Sequence, residues 1–194
     1  MDSSFQNTTL FQKKMRPAAL RVYRRIFPDC EVMDLRADGF KVHVLDKEFG
    51  IDSLIKLPSG QWLSLQEKYR RNNASKYEDF TQEYKNAVGT KYESDGEWFK
   101  LAAQVYFYGW ANENETEFEK WVLIDIPQYK IIVEQSGGLK HMGVYRQNST
   151  YGKASFFCIP IAKLDGAILK SHGIETYQGE RDLIKSTIEM FANE

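Results

Sequence analysis

Near the start of the chain, hydrophobic residues recur every three or four positions, the spacing that places them on one face of a helix. These residues are Phe11, Met15, Ala19, Val22 and Ile26. Pro17 is expected to open the main part of this helix, because a first-turn position suits proline. Pro28 follows the last apolar position, so the helix is expected to end there.

Three segments after this helix are typical of strands. Apolar residues predict strands over 30–36, 40–57 and 61–70, the second of them divided or bent at Gly50. The turn Pro58-Ser59-Gly60 separates the last two, and this turn predicts a hairpin.

The remaining chain predicts further helices and strands, but no internal repeat or linker. The expected elements are a helix over 76–88, a helix or strand over 97–109, strands over 120–134 (interrupted by Pro127) and 154–161, and one or two helices within 164–191. This order predicts an α/β fold with a mixed sheet flanked by helices. We expect a single domain over residues 1–194.

Length and charge narrow the class of protein. The chain has 194 residues, 26 basic and 27 acidic side chains, and 42% hydrophobic residues, enough for one ordinary core. The balanced charge and hydrophobic content exclude a disordered chain and a uniformly basic nucleic-acid binder. No apolar run approaches the roughly 20 residues of a membrane helix. The first residues lack the apolar run of a secretory signal, so we expect a cytoplasmic protein with no membrane partner.

The charge is distributed unevenly. Basic residues concentrate in the first helix and just after the third strand, and they form a candidate nucleic-acid surface. The candidates are Lys13, Lys14, Arg21, Arg24, Arg70 and Arg71. The alternative is that both groups are simply solvated faces. The acidic stretch 113–119 is expected to be an exposed loop on the opposite side.

The hairpin is the part of the sequence that indicates chemistry. Alternation in its second strand puts Gln66 and Lys68 on one face, and Leu63, Leu65, Glu67 and Tyr69 on the other. In an antiparallel hairpin, Asp52 lies within reach of the face that carries Gln66. A carboxylate, an amide oxygen and an ammonium group would then converge, which suits a hard divalent cation and a phosphate.

At these residues the sequence resembles the PD-(D/E)XK nuclease superfamily, in a restriction-enzyme-like branch of phage or bacteria. Asp52 matches the first acidic residue of the motif, Lys68 matches its lysine, and Gln66 stands where an acidic residue is usual. The resemblance covers roughly residues 8–90 and implies a restriction-endonuclease-like core. It does not extend residue by residue into the C-terminal half.

The resemblance also implies roles for these residues. Asp52, the Gln66 side chain and the backbone carbonyl of Glu67 would hold Mg²⁺ or Mn²⁺, and Lys68 would position or activate water. The activity implied is hydrolysis of DNA, weakly specific or structure-directed, with RNA and a homodimer left open. A catalytically silent protein that binds nucleic acid or a partner protein is one alternative, and an unrelated α/β protein is another.

Two departures from the motif leave alternatives open. Many members carry a further acidic ligand in the preceding helix, but residues 3–27 contain no acidic side chain. Substitutes for it are Glu31, Asp34, Asp46 and Glu48. The other departure is Gln66 itself, because a bulge in the strand would turn Glu67 inward instead. Strand alternation favours Gln66.

Overall fold

The computed structural model describes residues 3–35, 43–149 and 153–174, and in this part ten strands form two sheets. The strands are β1 Glu31–Asp34, β2 Ser53–Lys56, β3 Trp62–Arg70, β4 Asp79–Asn86, β5 Ser94–Asp95, β6 Val105–Ala111, β7 Phe118–Asp125, β8 Val144–Gln147, β9 Ser155–Pro160 and β10 Ile168–His172. The helices are α1 Ser3–Ile26, α2 His43–Phe49, α3 Glu97–Lys100, α4 Ile126–Gln135 and α5 Leu139–Met142, with 3-10 segments at Asn72–Ala74 and Ile161–Ala167.

The larger sheet has the strand order β1-β2-β3-β6-β7-β10. Its only parallel pair in the described chain is β3 with β6, and the other neighbours are antiparallel. The smaller sheet has the order β5-β4-β9-β8 and is antiparallel throughout. The predicted mixed α/β class is therefore confirmed, and so is the hairpin of β2 and β3.

Both faces of the larger sheet are buried. Helix α1 covers one face, where it packs against Ile55, Leu65 and Phe107. The smaller sheet and α4 cover the other face, around Tyr106 and Tyr108. Every residue of β6 is consequently buried, and its sequence is an almost continuous apolar run instead of an alternating one.

Helix α1 confirms the predicted apolar face, because all five of its marker residues are buried. The position predicted for Pro17 is wrong. Pro17 lies inside α1, on its exposed side, and the helix begins well before it at Ser3. Pro17 has no backbone N–H and so removes one hydrogen bond of the helix, but burial of the apolar face keeps α1 continuous across it.

Three other predictions are corrected. Residues 79–86 of the expected helix form β4, where Phe80 and Gln82 alternate into the interior. Residues 43–49 form α2 instead of a strand. The expected strand over 120–134 ends at Asp125, whose side chain accepts a hydrogen bond from the backbone N–H of Gln128 and caps α4. Pro127 thus lies in the first turn of a helix, where its missing N–H costs nothing.

The last expectation falls partly outside the described residues. Within 164–191, residues 168–172 form β10, paired with β7, because Ile168 and Leu169 bury themselves at the sheet edge. The helices expected beyond residue 174 lie outside the described residues. Among the helices that are described, none is long and apolar enough to cross a membrane.

Candidate active site

The β2–β3 hairpin brings Asp52 against the backbone of the strand that carries Gln66. Asp52 immediately precedes β2, and its N–H donates to the carbonyl of Leu65 at 2.8 Å. Its carboxylate accepts a hydrogen bond from the backbone N–H of Glu67 at 2.9 Å. Asp52 is only 4% exposed, so this carboxylate is fixed in a largely dry environment.

Gln66 and Lys68 share the face of β3 that points toward the smaller sheet. They pair with Tyr106 and Tyr108 in the parallel ladder to β6. The ammonium of Lys68 donates to the carbonyl of Thr81, on β4, at 3.3 Å. Ser53 pairs with Leu65 and hydrogen-bonds Glu67 on the opposite face, so alternation places the preceding residue, Asp52, on the side of Gln66.

Glu67 points to the opposite face, under α1, as strand alternation predicts. Its carboxylate forms a buried ion pair with Arg16 and accepts hydrogen bonds from Ser53 at 2.9 Å and Tyr69 at 2.6 Å. The β3–β6 register runs without a shift from Leu65 to Arg70, so the bulge considered as an alternative is absent there. The Glu67 side chain is therefore a structural anchor.

A carboxylate that sequence reasoning missed lies beside Gln66. Glu97, at the start of α3, accepts a hydrogen bond from the Gln66 amide at 3.1 Å. It also accepts one from the Gln82 amide at 2.9 Å and contacts the Tyr106 hydroxyl at 3.0 and 3.2 Å. Three buried or partly buried donors therefore converge on a single carboxylate.

This arrangement leaves two buried amide oxygens without a hydrogen-bond partner in the part of the chain that the structure describes. They are the Oε1 atoms of Gln66 and Gln82, because each amide turns its nitrogen toward Glu97. Buried polar atoms are nearly always paired, so each orphan oxygen calls for an explanation. The Gln66 oxygen lies near the backbone at Gly50, where an added Cβ would be 3.5 Å away from it.

The environment of Glu97 disfavours its ionised form. Burial raises the pKa of Glu97, and the nearby Lys68 ammonium and the Tyr106 hydroxyl oppose that rise without cancelling it. The positive charge of Lys68 therefore acts on the Glu97 carboxylate, although the two residues lie far apart in the sequence.

The stability of the wild-type protein relative to a Glu97→Gln variant is expected to fall as the pH rises. Because the pKa of Glu97 lies above its ordinary value of 4.5, the folded protein binds this proton more tightly than the unfolded chain does. That preference is complete below the unfolded pKa and is lost as the pH rises through the folded pKa. Urea unfolding of both proteins across the acid range measures it, and a difference that stays constant or grows with pH would contradict it.

The proposed nucleic-acid residues do not form one open basic surface. Lys14 forms an ion pair with Glu115 at 3.1 Å, and Arg71 pairs with the same carboxylate. Arg21 pairs with Glu117 at 2.7 Å. The acidic stretch therefore lies against the basic residues, and its expected place on the opposite side is wrong. Lys13 and Arg24 are exposed on α1, and Arg70 hydrogen-bonds Thr81 at 3.3 Å.

Replacing Glu115 and Glu117 with glutamine is expected to tighten DNA binding. The exposed ion pairs contribute only about 0–1 kcal/mol each to stability, so the fold should be retained. Each cation that is released and contacts a phosphate should steepen the dependence of log affinity on log salt by about 0.9. Fluorescence anisotropy with duplex DNA measures both effects. The double variant Glu113→Gln/Glu119→Gln removes the same two charges from exposed residues of the same stretch, and an equal gain from that control would contradict a specific role.

The candidate cation site is poor in charged ligands. Among the described residues, no three or more histidine, cysteine or acidic side chains are grouped so as to hold a metal. The oxygen donors that the hairpin offers are the Asp52 carboxylate, which contacts the backbone of β3, the Gln66 amide oxygen and the backbone carbonyls of β3. Mg²⁺ often takes only one or two protein carboxylates together with water and phosphate, so this donor set fits it.

Two of the substitutes expected for the missing acidic ligand form ion pairs with basic residues. Asp34 pairs with Arg16 at 2.8 Å, and Glu31 pairs with Lys56 at 3.6 Å. The carboxylate that contacts Gln66 is that of Glu97. It follows a short strand of the smaller sheet, and the pairing of β6 beside β3 returns the chain to Gln66.

Comparisons with known proteins do not assign the chain to a family. No family model matches it, and searches of curated proteins and of solved structures give no significant match.

Proposed function

We propose that this protein is a metal-dependent nuclease that hydrolyses phosphodiester bonds in DNA, weakly specific or structure-directed, in the cytoplasm of a bacterium or of a phage-infected cell. The observation that carries the proposal is the hairpin geometry. The Asp52 carboxylate lies against the backbone at Glu67, and the same strand turns the orphan Gln66 oxygen and Lys68 to one face. This is the arrangement that the resemblance to PD-(D/E)XK nucleases implies.

Each residue has a separate task in the proposed reaction. The Asp52 carboxylate, the Gln66 amide oxygen and the backbone carbonyl of Glu67 would hold Mg²⁺ or Mn²⁺. When bound, the metal would supply Lewis-acid stabilisation of the scissile phosphate and acidify a bound water. The Lys68 ammonium would contact a phosphate oxygen or orient the attacking water. Glu97 is a positioning residue, because its contact fixes the Gln66 amide.

The test of this proposal is metal-dependent cleavage. Plasmid and linear DNA are incubated with the protein in Mg²⁺, Mn²⁺ or EDTA, and the products are separated on a gel. We expect cleavage with either metal, greater in Mn²⁺ because the site has few charged ligands, and none in EDTA. Cleavage in EDTA, or no cleavage of any DNA in either metal, would contradict the proposal.

A Gln66→Glu variant is expected to be less stable than the wild type at neutral pH and without metal. It would place a second carboxylate in contact with Glu97, which the Gln66 amide now touches at 3.1 Å. The double variant Gln66→Glu/Glu97→Gln exchanges the amide and the carboxylate, so it should recover most of the stability. Thermal unfolding measures the three proteins, and equal losses in the single and double variants would contradict the contact.

One observation favours a catalytically silent protein as a second candidate function. Asp52 is 4% and Gln66 7% exposed, and the Gln66 amide is engaged with Glu97. Because both side chains are buried, a DNA phosphate has little access to them. A silent protein that binds nucleic acid or a partner would retain DNA binding in EDTA and leave DNA intact in every metal.

A further inference from the structure

A cavity of about 690 Å³ lies beside the candidate site, between the end of β3 and strands β4, β8 and β9 of the smaller sheet. The residues of β4 and β9 that line it alternate with Phe80 and Ile159, which point into the core. Arg146, from β8, and Arg70, from the end of β3, lie at its wall. The volume falls within the range of ordinary ligand sites.

The lining of this cavity favours an anion. It contains three cationic side chains, Arg70, Lys76 and Arg146, and two acidic ones, Glu78 and Asp79. Lys120 neutralises Glu78 at 3.1 Å. Among the described residues, Asp79 is then the one carboxylate of the lining with no ion pair, against three cations, and an anionic ligand would complement the excess of positive charge.

The cavity also offers aromatic surface next to those cations. Tyr77 is 54% exposed, with the Lys76 ammonium 5.1 Å from its ring centre. Phe156, which pairs with Arg146 across β8 and β9, is half-buried in the wall. Aromatic rings beside cations are the pattern that binds single-stranded nucleic acid, with bases stacked on rings and phosphates on basic groups.

Thr81 joins this cavity to the candidate active site. Thr81 lines the cavity, its hydroxyl accepts a hydrogen bond from Arg70 at 3.3 Å, and its carbonyl accepts one from Lys68 at 3.3 Å. We infer that the cavity binds a nucleotide of single-stranded nucleic acid and guides that strand toward Lys68. The inference deepens the proposed function, on which it rests for the class of ligand, but it requires binding only and no cleavage.

The test measures binding of fluorescein-labelled oligothymidylate in EDTA, so that it does not depend on catalysis. Tyr77→Ala is expected to weaken binding about five- to 150-fold, the range typical of losing one stacked base. Arg146→Ala should weaken binding and reduce the slope of log affinity against log salt by about 0.7. Both residues are exposed, so circular dichroism should report an intact fold.

The chain contains a matched control. Lys91 lies 5.0 Å from the ring centre of Tyr92, the same pairing as Lys76 with Tyr77, but neither residue lines the cavity. Tyr92→Ala is expected to bind like the wild type. Equal losses in Tyr92→Ala and Tyr77→Ala, or wild-type affinity in Tyr77→Ala and Arg146→Ala, would overturn the inference. A wild-type protein that cleaves no DNA but shows the predicted binding losses would refute the nuclease and retain this site.

Discussion

An Asp52→Asn variant is expected to lose cleavage by about a thousandfold or more while remaining folded. Asp52 supplies the one carboxylate of the proposed ligand set. Loss of its charge should weaken metal binding and remove several kcal/mol of the stabilisation that the metal gives to the transition state. The asparagine oxygen can still accept the hydrogen bond that the Glu67 N–H donates at 2.9 Å. The rate of cleavage at saturating Mn²⁺ measures the effect.

Asp125→Asn is the matched control for this variant. The carboxylate of Asp125 also accepts one backbone N–H at 2.9 Å, but it caps α4 instead of facing Gln66. Asparagine caps helices as well as aspartate does, so this variant should cleave like the wild type. Equal rates in the two variants would remove Asp52 from the proposed chemistry.

A Glu67→Ala variant is expected to lose about 3–5 kcal/mol of unfolding free energy, the largest stability effect that we predict. The Glu67 side chain is 1% exposed, and its removal leaves the largely buried Arg16 without its main partner. Burial by itself would lower the pKa of Arg16, but Glu67, with smaller contributions from Tyr69, Tyr23 and Asp34, more than offsets this and raises that pKa well above its ordinary range. Ser53 and Tyr69 would each lose an acceptor as well.

Two further variants separate this buried pair from an ordinary ion pair. Asp34→Ala removes the other carboxylate on Arg16, which is 18% exposed, and should cost about 1 kcal/mol or less. The double variant Arg16→Met/Glu67→Met removes both charges, so it should recover part of the loss. Urea unfolding measures all three variants. The expectation fails if Glu67→Ala and Asp34→Ala unfold at the same urea concentration.

The sequence predicted the hairpin and the direction of its side chains because both depend on local pattern. A turn of proline, serine and glycine closes β2 and β3, and alternation separates Gln66 from Glu67. The burial of Glu67 under α1 follows from the same alternation, since the apolar faces of the helix and of the strand must meet. These parts of the site can be predicted from the spacing of apolar and polar residues along the sequence.

Other parts of the site depend on pairings distant in sequence. Residues 79–86 have helical spacing, but pairing with β9 makes them a strand and carries Gln82 into the interior. Glu97 reaches Gln66 only because β6 returns parallel to β3. No local pattern marks either event, and the ion pairs of Glu115 with Lys14 and Arg71 likewise join residues far apart in sequence.

The central claim is that Asp52 and Gln66 hold a divalent cation. Calorimetric titration of the wild-type protein with Mn²⁺, beside Asp52→Asn and the control Asp125→Asn, tests it most directly. We predict saturable binding to the wild type and to the control, and none to Asp52→Asn. Equal binding by all three proteins, or none by the wild type, would contradict the claim.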